Sequence, residues 1–94
     1  MNADFPRQQW SSDAAVSYEA AQEAINEVLA CYVALLEREG QKPEPDRERI
    51  SHLRGRIADC THQQRSLSPK YPGDLAAVRG SYSRRLVELR EELG

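Results

Sequence analysis

No stretch of this chain is apolar for long enough to cross a membrane, and its first residues hold no run of the kind a secretory signal needs. Cysteine is scarce: Cys31 and Cys60 are the only two. Two thiols in a helical chain are no disulfide framework, so a reducing cytoplasm is the expected setting. Cys60 lies on an apolar stripe and Cys31 borders one, so both are expected as small buried hydrophobes. The net charge is only −2, which argues against a general nucleic-acid binder.

Catalytic patterns are missing as well. The chain has no G-x-S-x-G, no phosphate-cradling glycine loop and no H-E-x-x-H. His52, Cys60 and His62 share one helical segment, but helix neighbours lie three or four residues apart. These three therefore do not converge on one ion, and Cys60 and His62 point to nearly opposite sides of a helix. Neither an enzyme nor a metal or cofactor protein is expected.

What the sequence does hold is periodicity. Tyr18, Ala21, Ile25, Val28, Tyr32 and Leu35 alternate steps of three and four. Ile50, Leu53, Ile57, Cys60, Gln64 and Leu67 do the same, and so, with one repeated step of four, do Leu75, Val78, Tyr82, Leu86, Leu89 and Leu93. Such spacing puts each set on one stripe of an α-helix. Charged residues make up 30% of the 94, but the regular burial these stripes imply offsets chain entropy and excludes disorder throughout. A single small domain follows, with a thin core that a partner or a second copy would reinforce.

The breaks between stripes set the boundaries. Residues 1–12 are aperiodic, with Pro6 barring a helix before it. The first helix should run from about 13 to 39, capped by Ser12 or Asp13 and ended by Gly40 in a left-handed conformation. Pro43 interrupts the chain, and Pro45 suits the first turn of a second helix over 45–66. The Ser68–Gly73 stretch is the clearest break, after which Asp74 reads as the cap of a third helix ending near residue 93. The short first link makes helices one and two antiparallel. The expected fold is all-α, an antiparallel three-helix bundle with a flexible N-terminal arm.

Residues 1–46 carry three basic and nine acidic side chains, whereas 47–94 carry ten basic and six acidic ones. Flanking charges that pair the first helix with the others account for this layout. A partner that meets an acidic first helix also accounts for it. Glu19, Glu23 and Glu27 recur every four residues. The plain reading is a solvated face; the sharper one is a row of carboxylates that fills a basic phosphate pocket of a partner. In the arm, Phe5 and Trp10 either cap the core or anchor a partner.

At this helix the sequence resembles a known family. Val16-Ser17-Tyr18-Glu19, followed by Ile25-Asn26-Glu27, is similar to the first helix of the epsilon antitoxins, which partner zeta-type kinase toxins. In that family a small three-helix bundle binds a P-loop kinase, and its N-terminal helix obstructs nucleotide binding. The free kinase phosphorylates substrates of the UDP-N-acetylglucosamine type. The resemblance implies that Tyr18, Glu19 and, one turn on, Glu23 face the toxin. It spans residues 16–27; the arginine-rich second and third helices depart from the family.

The expected function is therefore a cytoplasmic inhibitor that binds and neutralises a partner protein, in its sharpest form a kinase-type toxin. The candidate partner-binding residues are Phe5, Trp10, Tyr18, Glu19, Glu23 and Glu27. Two other readings stand beside it. One is a structural module that assembles as a coiled-coil homo-oligomer. The other is a small nucleic-acid-binding regulator using arginines such as Arg79, Arg84, Arg85 and Arg90.

Overall fold

In the computed structural model, residues 12–94 are described, and every regular element among them is a helix. The helices are α1 (Ser12–Gly40), α2 (Arg47–Ser66) and α3 (Pro72–Leu93). Phe5 and Trp10, with the rest of the proposed arm up to residue 11, lie outside the described residues. The connectors, residues 41–46 and 67–71, are short, so the path runs up, down and up.

α1 is the central element. It buries Ala21, Ala24, Ile25, Val28, Tyr32, Leu35 and Glu39, whereas α2 buries Leu53 and Cys60, and α3 buries Leu75, Tyr82 and Leu89. The asymmetry follows from packing. α1 lies against both other helices, while no Cα atom of α2 comes within 8 Å of one in α3. Alanines on α1 let its neighbours come close. Across the α2–α3 seam the buried Tyr82 side chain meets that of Cys60, and Arg49 forms an ion pair with Glu92. Ile25, Leu53 and Leu75 are almost fully enclosed, each contributing roughly 1.5–3 kcal/mol of hydrophobic stabilisation.

Both flanking helices end on a polar side chain of α1. Gln22 Nε2 donates to the carbonyl oxygen of Gln64 at 3.0 Å, and Arg38 Nη2 donates to that of Leu93 at 2.9 Å. The last carbonyls of a helix have no partner within it, so these contacts satisfy groups that would otherwise need water. They also fix the register: the start of α1 lies beside the end of α2, and the ends of α1 and α3 lie together.

The helix ends differ in detail from the sequence expectation. α1 runs one residue further, to Gly40, which does not take a left-handed conformation; Gly94, with φ 84°, is the positive-φ glycine. Bonds from Gln41 N–H to the Arg38 carbonyl and from Lys42 N–H to that of Glu39 tighten the last turn instead. Pro45 stays outside α2, whose cap is Asp46: its Oδ1 accepts from the N–H groups of Glu48 at 3.0 Å and Arg49 at 3.2 Å. α3 starts at Pro72, because a proline at the first helical position loses no hydrogen bond. Asp74 thus lies inside the first turn, where its charge complements the helix dipole, and Tyr71 precedes the helix without a side-chain cap.

Candidate protein-binding face

The periodicity that buries Ile25 and Val28 turns the opposite side of α1 outward. Glu19, Glu23 and Glu27 line one shallow concavity there, with Tyr18 at its edge where the apolar stripe begins, together with Gln22, Asn26 and Ala30. The structure thus brings together four of the six candidate residues; Phe5 and Trp10 lie outside the described part.

The four differ in how free they are. Tyr18 is half-buried, and its hydroxyl accepts a 3.1 Å hydrogen bond from Gln22 Nε2. The same amide nitrogen holds the end of α2, so the phenol is tied into the frame of the bundle. Asn26 Oδ1 accepts from Gln64 Nε2, which commits Asn26 to the α1–α2 contact and gives the seam amide of α2 its role in register. Glu27 is half-buried and pairs with Arg90 of α3 at 2.9 Å. Glu19 and Glu23 are exposed, and among the described residues neither has an ion-pair or hydrogen-bond partner.

Sequence reasoning singled out the carboxylates by their spacing but missed Gln22, Asn26 and Ala30. A glutamine four residues after a tyrosine was the available signal, since such neighbours meet on a helix. The Glu27–Arg90 pair had none, because it depends on the register of α1 against α3.

The shifted titrating groups lie elsewhere. Glu39 is buried, and its carboxylate accepts from the backbone N–H of Asp46 at 2.9 Å and from Lys42 Nζ at 2.9 Å. The hydrogen bond from Asp46, then that from Lys42, holds it below the usual carboxylate range. Burial pushes the Cys60 thiol up, against the opposing pull of the Arg85 and Arg56 guanidinium groups. Burial likewise raises Tyr82, over whose ring Arg85 lies 4.8 Å from the centroid. These groups belong to the connector and the α2–α3 seam rather than to the outer face of α1.

Among the described residues, no group of three or more His, Cys, Asp or Glu side chains is placed to hold a metal ion, and no helix is long and apolar enough to cross a membrane. Compared with protein-family models, curated proteins and solved structures, the chain finds no match.

Proposed function

We propose that this chain is a cytoplasmic protein-binding inhibitor that acts through the outer face of the first half of α1, by occupying a basic pocket of its partner. The observation that carries the reading is the contrast among three carboxylates on one helix. Arg90 engages Glu27, while Glu23 and Glu19, one and two turns earlier, are exposed and meet no partner among the described residues. Two exposed carboxylates one turn apart, in one concavity with a tyrosine held by Gln22, offer a phosphate-like charge next to an aromatic side chain. That combination suits a pocket lined by lysine or arginine that otherwise takes an anionic substrate or nucleotide.

The likeness of residues 16–27 to the epsilon antitoxins supports the most specific form of the proposal. In it the partner is a P-loop kinase toxin, and α1 blocks its nucleotide or substrate pocket. No catalysis by this chain is involved; inhibition is steric and electrostatic.

The test is affinity capture from the lysate of the native host with the tagged chain, run beside a Tyr18→Ala/Glu19→Ala double variant whose helix content is checked by circular dichroism. Stoichiometric retention of a P-loop kinase by the parent chain, lost in the variant, supports the proposal. Retention of no kinase, or equal retention by both chains, overturns it.

A further inference from the structure

Leu29, Val33 and Leu36 follow Gln22 and Asn26 on one stripe of α1, the stripe that reaches α2 through Gln64. Across that seam α2 presents Ile50 and Ile57. Leu29, Leu36, Ile50 and Ile57 are half-buried, and Val33 is 39% exposed. The side of the α1–α2 pair turned away from α3 thus carries an apolar strip that the fold only partly covers.

The edges of the strip are charged and opposite in sign. On the α1 edge stands Glu37, one turn after Val33. On the α2 edge stand Arg47 and Arg54, flanking Ile50. All three are exposed, and among the described residues the side chains of Glu37, Arg47 and Arg54 make no ion pair or hydrogen bond. Arg47 also opens α2, where a cation opposes the helix dipole, so the helix itself gains nothing from its charge there.

We propose that this face is a self-association surface on which a second copy of the chain sits, related by a two-fold axis parallel to the helices. Such an axis lays α1 of each copy antiparallel over α2 of the other and keeps every residue at its own level along the bundle. Arg56 donates to the Tyr32 hydroxyl, and Gln64 donates to Asn26, so Arg54 lies near the level of Ala34 and within about one turn of Glu37. The axis therefore sets each Glu37 near the second copy's Arg54 and closes Val33 over the second copy's Ile57. A two-fold perpendicular to the helices does the reverse: it stacks acidic edge on acidic edge and basic on basic, which opposes association.

What singles out a second copy as the occupant is self-complementarity. One face carries both signs, on opposite borders of one apolar strip and at matching levels, as an isologous contact requires. The surface is centred on Val33 and its test changes neither Tyr18 nor Glu19, so its failure is distinguishable from that of the inhibitory face.

The experiment is sedimentation equilibrium of the whole chain over a wide concentration range, repeated for Glu37→Arg, for Arg54→Glu and for the two combined. Both positions are exposed, and circular dichroism confirms that each variant keeps its helices. The mass is expected to rise from one chain to two with concentration. Each single variant should weaken the dimer roughly tenfold or more, since it opposes like charges. The combined variant should restore it, because the pair re-forms with its signs exchanged. A monomer at every concentration overturns the proposal and leaves the strip to a different partner. A dimer indifferent to both single changes, or one the exchange fails to restore, overturns it equally.

Discussion

Glu39, in the last turn of α1, accepts a 2.9 Å hydrogen bond from the backbone N–H of Asp46, the residue that caps α2. One carboxylate thus ends the first helix, closes the connector and holds the residue that starts the second.

That contact makes stability depend on pH. The ionised form of Glu39 is favoured in the folded chain by the Asp46 N–H first and by Lys42 second, so its folded pKa lies below its unfolded one. The stabilisation is complete above the ordinary carboxylate range and is lost as pH falls through the lowered folded value. Glu39→Gln should therefore lower the urea midpoint at neutral pH, and its gap from the parent chain should shrink in acid. A gap that stays constant with pH would show that the charge is not its source.

Gly55 lies inside α2, exposed, and a Cβ added there meets nothing within 4 Å. Its backbone freedom serves no turn or close approach and only favours the unfolded chain. Gly55→Ala should stabilise the protein by about 1 kcal/mol, read as a higher urea midpoint at unchanged slope. No gain would point to a role for the open space at that position.

Ile25 is fully enclosed between the two flanking helices, while Leu67, on the connector after α2, is only half-buried. Ile25→Ala should cost about 2–5 kcal/mol, and Leu67→Ala distinctly less. Chemical denaturation of the two variants gives the comparison. Equal losses would contradict a core centred on α1.

Cys31 is half-buried and Cys60 buried, both as free thiols. Burial also raises the pKa of Cys60, which keeps its reactive thiolate scarce. With single-thiol variants made by Cys31→Ser and Cys60→Ser, a disulfide reagent should modify Cys31 in the folded chain and Cys60 only as fast as the protein unfolds. Rapid labelling of Cys60 in the native state would mean that the α2–α3 seam opens on its own.

The bundle was legible because its stripes obey helical periodicity, and most faithfully in α1. Ala21, Ile25, Val28, Tyr32 and Leu35 are all buried as their spacing predicts, whereas Ile50, Ile57, Val78 and Leu86 are only half-buried. Periodicity marks a face but not how many neighbours cover it, and α2 and α3 each lie close to one helix rather than two. Glu39 could not be read at all. A carboxylate in a charged stretch looks solvated, and the backbone N–H that draws it inward belongs to a residue on the far side of the connector. Of the candidate face, the common side of Glu19, Glu23 and Glu27 was legible from their spacing of four. The separation of Glu27 from the other two was not, since Arg90 is distant in sequence.

The central position of α1 bears on how the chain is made. Of the three helices, the one that both others lean on is made first, and the connector to α2 is short. Of the two flanks of α1, the one bearing Ala20 and Ala24 waits for the helix that emerges last. Until α3 arrives, that flank stays open to chaperones and proteases.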